Sequence, residues 1–454
     1  MYKLTVKELL GRFQDGSLTC EDYMQRVIQR AQELTVFNYF VVMETEKMLE
    51  EAKEADARYR SKTNRPLEGL PLGFKDNIDI EGQVTGACTL GLAGLKPRRT
   101  ADVARRLLEA GAINAGRLNM HELAYGVSTR NAYTGDSHNF HNFDYSCGGS
   151  SGGSGGAVAA DILPASLGTD TGGSIRIPSS YCGVFGLRPT SGRWPADYGV
   201  KLSHVRDAVG PLARSAEDLA ILDGVVTGEE AHDELSPSQI RIGVPRLHFW
   251  EGLEAEVEEQ AERFLVRLRE RGFVVVEAPE IPGAQHVLEN FLFPTINYEV
   301  FPRLKEYLDQ HGHSIPALDV VHQIASTDVR AAFLSVLEAP VTEETIQSAM
   351  AAREKLIKDL AAYFQEHGID CVLMPANKIP PPSLREFVID NARLINQVTQ
   401  NDDLANICNN PSLVLPCGFT RAAGVPFGMQ IEACTGQDRR LIAIARAIQK
   451  ALDL

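Results

Sequence analysis

The chain has 454 residues, 44% hydrophobic and 23% charged, a balance that excludes global disorder and fits an ordinary globular protein. A formal net charge of -15 excludes a broad non-specific nucleic-acid surface, so no direct nucleic-acid partner is expected. No apolar run reaches the roughly 18 residues of a membrane span. The opening MYKLTVKELLGRF lacks the apolar run and cleavage site of a secretory signal. Eight scattered cysteines form no close CxxC pair. These features predict a cytoplasmic protein with reduced thiols and no membrane contact.

In chain order, residues 1–60 read as helices. Thr5 with Glu8 and Thr19 with Asp22 have capping-box spacing, and Tyr23, Val27, Ala31 and Leu34 recur on one helical face. Glu44–Arg60 reads as a charged surface helix. LEGLPLGFKDNIDIEG, from Leu67 to Gly82, reads as a turn leading into a buried strand. Thr100–Ala110 reads as a capped helix and Ala112–Ala115 as a strand. Ile240–Val244, Glu254–Arg271 and Phe273–Val276 repeat strand, helix, strand. This alternation predicts an α/β fold.

Residues 280–400 read as a mainly helical insertion, interrupted by a buried strand at Cys371–Met374. Phe291, Phe293 and Tyr298 there read as helix packing, with a pocket wall as the alternative. Val425–Leu454 gives an extended run and then an amphipathic helix, approached through Pro411, Pro416 and Pro426. No long linker or tandem repeat divides the chain. One domain over 1–454 is expected, with the 1–60 helical segment inside it and the 280–400 insertion forming part of the substrate pocket.

The densest chemical signal is CGGSSGGSGGAVAA, Cys147–Ala160. As a flexible linker it would join two independent cores, yet it runs straight into apolar sequence. As a phosphate loop it lacks the GK[ST] ending, and it lacks GxGxxG spacing. A third reading takes in PLGFKDNID, with Lys75, and TDTGGSIRIP, with Ser174. His121, His138 and His141 read as surface or structural histidines. A serine nucleophile without histidine needs another base, and a lysine serves when burial lowers its pKa. Ser151 and Ser154 read as turn or helix caps. Asp170 with Arg176, and Gln430, read as structural. No His/Cys/Asp/Glu cluster suggests a metal, and no organic cofactor is implied.

LPLGFKDNID, GGSSGGSGGAVAA and DTGGSIRIP together resemble the amidase signature family over about Leu67–Ala213. The resemblance implies a fold with a central mixed β-sheet flanked by helices and a Ser–Ser–Lys triad. In it Lys75 is the base, Ser150 the bridging serine after a cis peptide, and Ser174 the nucleophile. Thr171, Gly172, Gly173 and Ser174 match the oxyanion-hole loop. Asn119 and Ser128, in NMHELAYGVSTRN, match a segment near the site, where their side chains bind substrate or cap loops.

GRWPADYGVKLSHVRDAVGPLARS, Gly192–Ser215, is similar to the corresponding stretch of indoleacetamide and mandelamide hydrolases. That likeness implies hydrolysis of a small arylacetamide to carboxylate and ammonia through an acyl-enzyme. Lys201, Leu202 and Val205 depart from the subgroup's usual residues, and Trp194 reads as a core residue or an aromatic contact. The same triad serves two alternatives: the glutaminase subunit of a glutamyl-tRNA amidotransferase-like complex, and a catalytically silent scaffold. The partner expected is a small-molecule amide; the sequence leaves a homo-oligomer open.

Overall fold

The computed structural model describes residues 3–229, 234–387 and 392–454. Its centre is an eleven-stranded sheet. In spatial order the strands are β1 (Phe40–Val42), β3 (Ile113–Leu118), β2 (Pro71–Lys75), β4 (Ala165–Asp170), β6 (Ala208–Ala213) and β5 (Phe185–Arg188). There follow β10 (Ser412–Phe419), β11 (Pro426–Glu432), β9 (Cys371–Pro375), β7 (Arg241–Pro245) and β8 (Val274–Ala278). β3, β2 and β4 run parallel, as do β9, β7 and β8; antiparallel pairings join the rest, so the sheet is mixed. Strands β2, β4, β5 and β6 are buried at every position. Helices on both faces account for their lack of polar alternation.

Local signals explain most elements. Thr5 and Glu8 form a reciprocal capping box on the helix Val6–Gln14. Thr19 caps Cys20–Glu33 by accepting the Asp22 amide at 3.0 Å, but the shorter Asp22 side chain makes no return bond. Thr100 does not cap the helix Asp102–Glu109; Ala101 precedes it, and Thr100 Oγ1 instead accepts the Glu81 amide at 3.0 Å. The β7–helix–β8 unit lies within two residues of its expected bounds, with its helix at Ala255–Glu270. β1 escapes sequence detection because it is three residues long and partly exposed.

The stretch 280–400 carries the helices Ala284–His311, Ala317–His322, Thr327–Glu338, Glu343–His367 and Ala392–Thr399 around β9; its residues 388–391 lie outside the described residues. Val300, Leu304, Val320, Val321 and Phe333 pack with Leu92, Leu95, Met120, Leu123 and Leu202 in a second apolar core beside the sheet. Burial of this kind is worth roughly 1.5–3 kcal/mol per large side chain. It fastens the helical layer over the carboxyl ends of β2 and β4.

Candidate active site

The parallel strands β2 and β3 end level, at Lys75 and Leu118, and β4 beside β2 runs on to Asp170. Each next segment carries polar residues, as is usual at the carboxyl ends of an open α/β sheet. Lys75, the last residue of β2, is fully buried. Its Nζ lies 2.8 Å from Ser150 Oγ and donates to Thr169 Oγ1 at 2.8 Å and to the Thr169 carbonyl at 3.4 Å. Burial pushes the Lys75 ammonium down to a pKa of about 7; the carboxylates of Asp170 and Asp207 oppose the shift without cancelling it.

Ser150 precedes the glycine-rich helix Gly152–Ala159, and the Gly149–Ser150 peptide is cis. Glycine is a poor helix former, so its use here needs a packing reason. A β-carbon on Gly153 would lie 2.4 Å from the Asn119 carbonyl, and one on Gly156 would lie 2.1 Å from the Tyr39 ring. The helix is wedged against neighbours that leave no room for side chains. Ser151 and Ser154 are not caps. Their hydroxyls donate to the carbonyls of Thr169 and Leu167, stapling this helix to β4.

Ser174 stands at the end of a loop anchored by one acid. The Asp170 carboxylate accepts the amides of Gly173 (3.0 Å) and Ile175 (3.1 Å), the Arg176 and Arg188 guanidiniums, and Asn406 Nδ2. Burial opposes its charge, but the two arginines hold its carboxyl well below the usual carboxylate range. Arg206 Nε donates to the Thr171 carbonyl at 3.0 Å, and Thr171 Oγ1 donates to Asp207 at 2.6 Å. Gly173 needs its glycine: φ is +95°, and a β-carbon would strike Asp402 at 2.4 Å. The expected oxyanion loop is therefore divided. The Gly173 amide is occupied by Asp170, whereas those of Thr171, Gly172 and Ser174 meet no protein acceptor among the described residues.

Ser174, Thr171 and Gly172 face a cavity of about 950 Å³. Its apolar wall includes Tyr125, Leu202, Phe293, Ile296 and Phe387; Ser128 and His121 also line it. Lys75 and Ser150 lie behind that wall. Their link is formed, but Ser150 and Ser174 share no hydrogen bond in this conformation. Asn119 is not brought into the cavity. It is buried and satisfied by Asn38, Gly135, Ser137, Met120 and Thr134, so its role is loop fastening. Phe293 reaches the cavity, Phe291 packs on the main core and Tyr298 donates to Glu343. Trp194 is a core residue bonded to Asp223, and Gln430 donates to the Asn401 carbonyl. His121 is not on the surface: it is buried and lines the cavity wall.

Sequence reasoning missed Thr169, Asn77 and Asp207. Thr169 Oγ1 also accepts from Asn77 Nδ2 at 3.1 Å, so the Lys75 amine is oriented by a residue two positions beyond it. Asp207 accepts Tyr198 OH and the Leu202 amide as well as Thr171, coupling the nucleophile loop to the cavity wall. The available signals were KDN and GTDTGG, where the polar neighbours of the candidate residues deserved roles. Among the described residues no group of three or more His, Cys, Asp or Glu is placed to hold a metal, and no helix is long and apolar enough to cross a membrane.

Comparison with known proteins places this geometry. The Amidase family model matches residues 21–442. The mandelamide hydrolase of Pseudomonas putida is 34% identical, with all of this chain and 92% of that protein aligned. The indoleacetamide hydrolase of Agrobacterium vitis is 32% identical over 99% of this chain and 97% of its own. A crystal structure of an amidase superposes with a TM-score of 0.86 at 30% identity, covering 98% of this chain and 99% of that one. Native peptide amidase from Stenotrophomonas maltophilia gives 0.85 at 25% identity, covering 99% and 96%. The chain therefore belongs to the amidase signature family, hydrolases that act on small amides.

Proposed function

We propose that the chain hydrolyses a small arylacetamide to its carboxylate and ammonia, with Ser174 as nucleophile, Ser150 as proton bridge and Lys75 as base. The observation that carries this is the set of contacts around Lys75 Nζ. A neutral amine has two N–H donors and one lone pair. Thr169 Oγ1 and the Thr169 carbonyl take the two donors, so the lone pair is left for the Ser150 hydroxyl at 2.8 Å.

In this mechanism Ser174 Oγ attacks the amide carbon, and its proton passes to Ser150 as the Ser150 proton passes to Lys75. The Ser150–Ser174 contact tightens when substrate binds, as catalytic hydrogen bonds commonly do. The carbonyl oxygen, now negative, is met by amides of the Thr171–Ser174 loop that have no internal acceptor. Lys75 returns its proton through Ser150 to the leaving nitrogen, ammonia departs, and water hydrolyses the acyl-enzyme by the same route. The apolar cavity wall and the two curated relatives support an aryl acyl group.

Ammonia release measured over indoleacetamide, mandelamide, phenylacetamide, aliphatic amides and glutamine tests the proposal. Turnover of the arylacetamides by the isolated chain, lost in Ser174→Ala, is expected. Turnover of glutamine alone would replace the arylacetamide with the glutaminase alternative. A well-folded chain silent on the whole panel and unlabelled by a fluorophosphonate would leave a scaffold.

A further inference from the structure

Resting on that function, one unpartnered nitrogen on the cavity lining calls for a ligand. His121 is buried, and its backbone amide donates to the Ser150 carbonyl at 3.1 Å, which ties its position to the triad. The ring is held in place: Nδ1 is 3.4 Å from Ser128 Oγ, and a β-carbon on Gly126 would lie 2.2 Å from Nε2. Yet Nε2 makes no hydrogen bond. Asp328 Oδ2, also on the cavity lining, stands 3.7 Å away, beyond good hydrogen-bond length.

Asp328 is in the first turn of the helix Thr327–Glu338, and its side chain is 49% exposed. The loop before it is locked to the residue following His121. Buried Glu122 accepts the amides of Ala325 (3.0 Å) and Ser326 (2.7 Å) as well as Thr89 Oγ1. The separation between His121 and Asp328 is thus set by the fold. Burial opposes the Asp328 charge, but His121 and the local helix amides outweigh it and keep the carboxyl below its ordinary pKa. The other charged groups on the lining, Arg130 and Asp136, already pair with each other at 3.3 Å.

We propose that His121 and Asp328 form the specificity-determining polar point of the acyl pocket, and that they select amides whose acyl group carries a hydrogen-bond donor, a hydroxyl or a ring N–H. The donor is accepted by the Asp328 carboxylate; a hydroxyl also accepts from His121 Nε2–H, whereas a ring N–H, which is a donor only, is held by Asp328 alone. An acyl group without a donor forgoes the hydrogen bond to the Asp328 carboxylate and leaves the buried His121 Nε2 without a partner, and that loss is what discriminates.

Matched substrates test this on the whole chain. Mandelamide and phenylacetamide differ by one hydroxyl, and indole-3-acetamide and its ring-N-methyl derivative differ by one N–H donor. In at least one pair the donor-bearing amide is expected to have the higher kcat/KM by roughly tenfold or more, the worth of a hydrogen bond to a charged group. Asp328→Ala is expected to bring that ratio towards one, and so, separately, is His121→Leu in the pair that differs by a hydroxyl. Ratios near one in both pairs of the parent chain overturn the inference with no variant needed, and so does a ratio that survives Asp328→Ala. If no arylacetamide is turned over at all, the proposed function fails first and takes the selectivity with it; equal turnover of all four defeats the selectivity alone.

Discussion

Asp170 Oδ1 accepts the amide of Gly173 at 3.0 Å, so the last residue of β4 holds the very loop that its own strand launches. The same carboxylate neutralises Arg176 and Arg188, all three side chains being fully buried. Asp170→Asn leaves two guanidiniums short of their counter-charge. It is expected to destabilise the chain by roughly 3–5 kcal/mol, measured by urea unfolding, and to slow turnover in whatever fraction folds. A stability change under about 1 kcal/mol would show that Asp402, 3.1 Å from Arg176 Nη1, suffices as counter-ion.

Turnover should require neutral Lys75. With a pKa of about 7, kcat/KM is expected to rise through that pH and level off on the alkaline side, and fluorophosphonate labelling of Ser174 should follow the same curve. Lys75→Ala is expected to cost about 10²- to 10⁴-fold. A flat profile from pH 5 to 9 in the parent chain would remove Lys75 from the role of base.

The same lysine links stability to pH. Its folded pKa, about 7, lies below its ordinary value of 10.5. Between the two the unfolded chain binds a proton that the folded chain does not, so this group's contribution to stability increases as pH rises. The stability of the parent relative to Lys75→Met should climb from pH 8 to 9.5 by at most about 1.4 kcal/mol per pH unit. A parent-minus-variant difference that stays flat over that range would mean the lysine is charged in the fold.

Thr169→Val removes the acceptor that orients the Lys75 amine while keeping the side-chain shape. The charged ammonium loses more than the neutral amine, so the acid limb of the rate profile should move to lower pH. Misdirection of the lone pair should lower kcat by about tenfold, on the scale of one hydrogen bond to a charged group. An unshifted limb with an unchanged rate would reduce Thr169 to a packing residue.

Gly156→Ala places a methyl group against the Tyr39 ring, 2.1 Å from a ring carbon in the present geometry. Tyr39 is buried and its hydroxyl donates to the His138 carbonyl, so the ring has little freedom to yield. A loss of about 1–3 kcal/mol is expected, the usual result of overpacking, and thermal melting will report it. Neutral or increased stability would show that the helix can shift away from Tyr39.

Residues that stand in short local motifs could be singled out from the chain alone. Lys75, Ser150 and Ser174 stand in three short motifs, and the strand–helix alternation carried the α/β class. Hidden features depend on distant partners. Thr169 becomes important only because β4 lies parallel beside β2, and Glu122 only because it meets Ala325 and Ser326. The burial of His121 beside Asp328 was not legible because Asp328 lies far along the chain. Pro416 read as punctuation yet sits inside β10. The strand has by then run past its last pairing with β5, at Val414, so an absent N–H on that side interrupts no ladder.

Lys75 and Ser150 are fully buried and do not line the cavity, whereas Ser174 does. On the proposed mechanism, a hydrogen given up by Ser174 moves away from the cavity into that buried compartment. It waits on the lysine and leaves by the way it came. The ammonia released in the first half of the reaction would then carry away the hydrogen that Ser174 brought to it, and the water that frees the acid would restore that hydrogen for the next cycle.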